Sequence, residues 1–277
     1  MLTSNIGTKG EYMSDLVKIT IENGVADVRL NRPDKYNSLS PEMFEAVVAA
    51  GESIANNRSV RAVVLSGEGK GFCAGLDFGT FTKVESDGNG VLAEKTDGSY
   101  PNPFQNAAYI WKTLRIPVIA AIHGSAFGGG IQIALGADIR LATPDARLCV
   151  MEVNWGLVPD MAASQTLRDL VSIDVAKELI LTGRVVSGEE AKQIGLVTRV
   201  CDDPLAEALK MANEIAQKSP DSIIAGKRLL ETAWHGTPEE GLKLEEELQK
   251  SLLGSPNQVE AMKANFEKRA PNFQDPE

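Results

Sequence analysis

Histidine is nearly absent from this chain. His123 and His235 are the two among 277 residues, which excludes a metal centre built from several imidazoles. Cysteine is scarce and odd in number. Cys73, Cys149 and Cys201 lie far apart, with neither a zinc-type spacing nor a disulfide framework, as in a reducing compartment. No apolar run approaches the roughly 20 residues that a membrane-spanning helix needs. Basic charge is also in deficit: 28 Lys and Arg against 38 Asp and Glu leave a net charge of −10, ill suited to replacing the counterions of a nucleic acid. Residues 1–15 lack the basic-then-apolar order of a secretory signal and read as a flexible tail. The expectation is a cytoplasmic protein without metal, membrane or nucleic-acid partner.

What is present is strand–helix alternation followed by helices. Val17–Ile21 and Ala26–Leu30 read as strands paired around an Asn23-Gly24 turn. Ser40-Pro41 opens a helix, with Ser as N-cap and Pro in the first turn. Segments 61–66, 118–122 and 139–142 are short apolar runs of the kind that cross a sheet buried on both faces. A helix is expected over 106–114, another at 131–135 after three glycines, and a short strand over 196–200. Four amphipathic helices follow, over 203–218, 221–234, 238–253 and 256–269, separated by Ser-Pro and Thr-Pro breaks. The chain divides accordingly into a tail (1–15), an α/β core (16–200) and a helical module (201–277). The polar, glycine-rich segment 79–103 reads either as a surface loop or as an active-site flap.

Three segments carry candidate chemistry. The first, 67–77 (GEGKGFCAGLD), is a glycine-rich turn after a buried strand, without the pattern of a nucleotide-binding P-loop. The second, 123–132 (HGSAFGGGIQ), is a strand, a tight turn and a helix start, where free backbone N–H groups can face a carbonyl oxygen. Close packing of helix on strand selects the same glycines. The third, 152–160 (EVNWGLVPD), places Glu152 and Asp160 in apolar surroundings that raise a carboxyl pKa and suit proton transfer, although a cap or a salt bridge would use them equally well.

Together, in this order, the segments resemble the crotonase superfamily (enoyl-CoA hydratases and isomerases) from about Leu16 to Phe273. NRPDKYNSLS (31–40), GKGFCAGLDF (69–78), PVIAAIHGSAFGGG (117–130), LTGRVVSGEEAKQIGLVTRV (181–200) and FEKRAPNF (266–273) carry the resemblance. It implies an α/β spiral of repeated ββα units, with C-terminal helices that assemble trimers or hexamers. It implies no permanently bound cofactor, coenzyme A arriving as part of an acyl thioester. By position, the backbone N–H groups of Leu76 and Gly129 bind the thioester oxygen. Lys35, Tyr36, Ala74, Leu76, Asp77, Phe78 and Gly79 contact the coenzyme, and Lys35, Lys268 or Arg269 meets its phosphates.

The reaction turns on three positions. Family hydratases hold water with two glutamates, and the first of those positions is Gln132 here, which exchanges no proton near neutrality. The second is Glu152. Asp160 stands where dienoyl-CoA isomerases, which the chain resembles in part, carry an aspartate. The expectation is an isomerase that shifts a double bond by proton transfer through Glu152 and Asp160, with water addition to a 2-enoyl-CoA as the alternative. A non-catalytic acyl-CoA-binding protein is the alternative from another class. His123, Cys73 and His235 are read as structural or surface residues, and Trp155 as core or acyl-pocket lining.

Overall fold

Strand β1 (Met13–Ser14) lies antiparallel to β2 (Val17–Glu22), and Asn23 and Gly24 then turn the chain into β3 (Val25–Leu30). Both turn residues have positive φ, 52° and 80°, as a two-residue hairpin turn of this hand demands. The computed structural model describes residues 13–77, 79 and 100–276. Most of the expected tail (1–15) and of segment 79–103 lies outside the described residues.

Ser40 caps α1 (Pro41–Ala55) by accepting from Met43 N, and β4 (Ala62–Gly67) follows. Helix α2 (Pro103–Thr113) starts three residues before the expected Asn106. Asn102 and Gln105 form a reciprocal capping box there, satisfying two backbone N–H groups that the apolar pattern alone does not reveal. Then come β5 (Val118–Ile122), β6 (Ser125–Phe127), α3 (Gly129–Leu135), β7 (Ile139–Ala142) and β8 (Arg147–Cys149). A 3-10 turn at Glu152–Trp155 leads to α4 (Ala163–Thr166), α5 (Ile173–Thr182), β9 (Val186–Ser187), α6 (Gly188–Gln193) and β10 (Arg199–Val200).

The main sheet has the order β1-β2-β3-β4-β5-β7-β10 and is parallel from β3 onward, while β6, β8 and β9 form a smaller sheet. From β5 the chain visits the main sheet, the small sheet and a helix in turn, then repeats with β7 and β8. That is the ββα spiral. At its centre the main sheet is buried on both faces: Val63, Leu65, Val118, Ala120 and Ile122 belong to one core, while Val64, Ile119, Ala121 and Leu141 face another. The second core is closed by Ala208, Ala212 and Ala216 of α7 (Pro204–Ala216). Helices α8 (Pro220–Ala233), α9 (Pro238–Leu252) and α10 (Pro256–Glu267) complete a helical C-terminal region.

The strand expected over 196–200 is confined to Arg199–Val200. Leu196 and Val197 are buried in the core, and the Leu196 carbonyl accepts from the buried Arg140 guanidinium at 3.0 Å instead of joining a ladder. No helix among the described residues is long and apolar enough to cross a membrane.

Candidate active site

The first glycine-rich loop is held by a residue that the sequence did not single out. Asn37 is fully buried, and its Nδ2 donates to the carbonyls of Glu68 (2.9 Å), Gly71 (2.9 Å) and Phe72 (3.2 Å). Its Oδ1 accepts from Arg32 N at 2.8 Å. One amide thus ties the 31–40 segment to the 67–72 turn; the signal available beforehand was an asparagine among apolar and turn residues. The stitching continues along the loop: Ala74 N donates to Tyr36 O (2.9 Å), Leu39 N to Gly75 O (2.8 Å) and Asp77 N to Leu39 O (3.0 Å).

The same loop is sewn to the second one. Phe72 N donates to His123 O, Cys73 N to Ser125 O and Phe127 N to Cys73 O, all within 3.0 Å. Two glycines complete the approach. Gly75, at φ +86°, leaves no room for a Cβ, which would stand 2.6 Å from Phe127 O and 3.6 Å from Gly129 N. Gly128, at φ 51° and ψ −122°, adopts a conformation that side chains avoid, and its N–H is taken by Cys149 O at 2.9 Å. The two turns thereby bring the amides of Leu76 and Gly129 to adjoining loops. Among the described residues neither amide donates a hydrogen bond. Such a pair of unpaired donors is what an oxygen gaining negative charge requires.

Glu152 lies against the second of these turns: a Cβ on Gly128 would be 3.4 Å from Glu152 Oε1. The glutamate opens the 3-10 turn after β8 and is buried at 8% exposure. Oε1 accepts from Gln132 Nε2 at 2.6 Å, whereas Oε2 is buried with no partner among the described residues. Burial pushes the Glu152 pKa above its ordinary value, the charge of Asp160 adds to the rise, and the Gln132 hydrogen bond opposes it. Asp160 is open to solvent at its edge, yet enough protein surrounds it to raise its pKa as well. Gln132 itself is buried, and its Oε1 accepts from Met161 N at 2.8 Å, so it links Glu152 to the residue after Asp160.

Of the expected coenzyme contacts, Lys35 and Tyr36 are exposed on the short 3-10 turn at Pro33–Lys35 and its left-handed cap. Ala74 and Leu76 lie on the stitched loop. Asp77 is held below the usual carboxylate range by its 2.7 Å hydrogen bond to Arg32, with the Lys35 charge contributing, and it accepts from Gly79 N at 3.1 Å. Phe78 lies outside the described residues. Arg269 is engaged by Glu260 and Glu267, each at 2.6 Å, and Lys268 is the left-handed C-cap of α10. His123 contacts Gly69 O at 3.0 Å as part of the loop framework. Cys73 is buried against Asn37 O, with its pKa pushed up to about 12 by burial, and is therefore a neutral thiol. Trp155 is more than half exposed at the end of the Glu152 turn.

Among the described residues no group of three His, Cys, Asp or Glu side chains could hold a metal ion. A separate cleft of 540 Å³, lined in part by Lys112, Asp169, Lys227, Trp234 and His235, includes none of the donors or carboxylates above.

The arrangement can therefore polarise a carbonyl and move a proton beside it. Residues 20–276 match the family model described as enoyl-CoA hydratase/isomerase. A probable enoyl-CoA hydratase of Mycobacterium bovis is 32% identical over 90% of this chain and 94% of its own length. A peroxisomal Delta(3,5)-Delta(2,4)-dienoyl-CoA isomerase of Arabidopsis thaliana is also 32% identical, over 94% of this chain and 96% of its own length. The crystal structure of an enoyl-CoA hydratase from Bacillus anthracis superposes with a TM-score of 0.84 at 29% identity, covering 94% of this chain and all of that one.

Proposed function

The chain belongs to the enoyl-CoA hydratase/isomerase family of enzymes, and from that premise we propose that it shifts a double bond in an enoyl- or dienoyl-CoA. Relatives bearing hydratase and isomerase names are equally similar, so the choice between the two reactions falls to the side chains. In this reading Leu76 N–H and Gly129 N–H bind the thioester oxygen. Glu152 Oε2 removes a proton from the carbon next to the thioester, and the negative charge passes onto the oxygen between the two donors. Glu152 or Asp160 returns a proton to the far end of the conjugated system, so that the double bond moves and nothing is added. No cofactor takes part; coenzyme A is a portion of the substrate, received by the Lys35–Tyr36 turn and the Ala74–Gly79 loop.

The observation that carries this reading is the engagement of Gln132. Water addition needs a second group that holds the water and trades a proton with it. Both polar ends of Gln132 are bonded to protein, one to Glu152 and one to Met161 N, and an amide carries no exchangeable acid proton near neutrality. A single buried carboxylate suits proton abstraction and return. Hydration remains the second reading through Asp160, which is solvent-exposed and close enough for its charge to raise the pKa of Glu152. A passive acyl-CoA binder has no use for a buried carboxylate oxygen left unpaired, which is costly to maintain.

Absorbance assays on 2-enoyl-, 3-enoyl- and 3,5-dienoyl-CoA test the proposal. Migration of the double bond in a 3-enoyl- or 3,5-dienoyl-CoA is expected. Rapid hydration of the 2-enoyl substrate with no migration in the others would sink it. The resemblance also supports assembly as a trimer or hexamer through the C-terminal helices.

A further inference from the structure

Gln132 is 1% exposed and sits on the first turn and a half of α3, where its own N–H bonds Gly128 O at 3.2 Å. Its orientation is not arbitrary. Met161 N is a donor, so the atom of Gln132 that faces it at 2.8 Å must be the oxygen. The atom facing Glu152 Oε1 at 2.6 Å is then the NH2 group, a donor that accepts no proton. The amide is thus a bracket between the 3-10 turn that bears Glu152 and the backbone that bears Asp160.

We propose that Gln132 is the positioning residue of the reaction: it engages Glu152 by Oε1, leaves Oε2 as the only oxygen that exchanges protons with substrate, and fixes Glu152 relative to Asp160. The proposal rests on the reading of Glu152 as the base. A carboxylate at 132 would still accept from Met161 N but would face Glu152 as a like charge at hydrogen-bond distance, so the pair would share one proton. An apolar side chain of the same length would drop both bonds and leave Glu152 free to rotate. The titratable groups around Glu152 are Asp160, on the segment before α4, and Cys149, on β8, whose thiol is pushed up to about 11 mainly by burial and stays neutral. Among the described residues, Gln132 is the only side chain that donates to the Glu152 carboxylate.

The test is a titration of protein carrying ¹³C-carboxyl glutamate, with the Glu152 signal assigned by its loss in Glu152→Gln. It is paired with the pH–rate profile of double-bond migration. In Gln132→Met the Glu152 pKa should rise by about one unit or more. The acid limb of kcat should follow it, and the plateau should fall about tenfold or more while KM changes little, because the carboxylate is no longer aimed. In Gln132→Glu, which keeps the Met161 bond and guards against misfolding of the Met variant, the pair should titrate in two separated steps. A Glu152 pKa in Gln132→Met that stays at the wild-type value overturns the proposal. So does a single wild-type-like step in Gln132→Glu, or a plateau kcat unchanged in Gln132→Met. The titration requires no turnover. A wild type that moves no double bond therefore overturns the isomerase reading by itself, while the NMR arm still decides whether Gln132 holds Glu152.

Discussion

At the scale of single residues, the decisive fact is a carboxylate with one bonded and one orphaned oxygen. Burial raises the Glu152 pKa from an ordinary value of 4.5, so the folded protein keeps this proton at pH values where the unfolded chain has lost it. The stabilisation of that proton is present below the unfolded pKa and is lost as pH rises through the folded one. Asp160, raised for the same reason, acts with the same sign. Glu152→Gln removes the ionisation, so its stability relative to wild type should be greater at pH 8 than near pH 4, measured by denaturant melts at both. Its kcat should fall by roughly 10²–10⁴-fold, the usual range for a lost general base. Undiminished turnover would remove Glu152 from the mechanism. Asn37 works in the opposite sense, as pure support. Asn37→Ala deprives three loop carbonyls of their buried donor, and at roughly 1–3 kcal/mol for each group left unsatisfied, partly relieved by water, a loss of about 2–4 kcal/mol is expected in chemical denaturation. Glu152 and Asp160 stood out as candidates in the sequence because carboxylates in an apolar run are a local signal, while Leu76 and Gly129 came only from the family resemblance of the two glycine-rich segments. The bracket made by Gln132 was not, since its partners lie 20 and 29 residues away and an amide gives no sign of which carbonyl or carboxylate it will meet.

At the scale of elements, the sequence spoke clearly wherever one turn of chain satisfies itself. The Asn23-Gly24 hairpin and the Ser40 cap need nothing from outside, and both stand as the residues require. The start of α2 lies three residues before the expected one because its cap pairs polar groups, Asn102 with Gln105, which the apolar pattern does not register. Asn102→Ala should lower stability by about 1 kcal/mol, the ordinary worth of a capping side chain, and thermal melts will show it. Because α2 packs against α3, Ala108 O lying 2.2 Å from where a Cβ of Gly136 would stand, the same change tests whether disturbance of α2 reaches Gln132. If α2 frays only at its exposed end, kcat should hold while Tm falls. Strand β10 contracted for a different reason. Arg140 is buried at 3% exposure, with its pKa lowered to about 10 by desolvation, and its guanidinium takes the carbonyls of Ala137 and Leu196. A long-range cation of this kind cannot be read from a five-residue window.

At the scale of the molecule, the two-faced main sheet explains why the site sits where it does. Alternate residues of β4 and β5 enter two separate cores, so the strands are fixed from both sides, and the glycine-rich segments that follow them start from a rigid base. Helices α9 and α10 do not share that enclosure. Leu253, at the end of α9, is 61% exposed, and Met262 and Phe266 of α10 are 52% and 82% exposed. Phe266 presents its aromatic side chain nearly in full to water, where it forgoes roughly 1.5–3 kcal/mol of possible burial. Contact between copies, at the roughly 800 Å² per partner of a stable interface, would recover that energy. The family resemblance implies a trimer or hexamer, so the expected mass in sedimentation equilibrium is three or six times the 29.7 kDa of one chain. The double variant Leu253→Asp/Phe266→Asp should sediment as a smaller species with an unchanged far-UV circular dichroism spectrum, since neither side chain belongs to either core of the single chain. A monomeric wild type would show that these helices serve some purpose other than assembly, and a double variant that keeps the full mass would place the contact on another face.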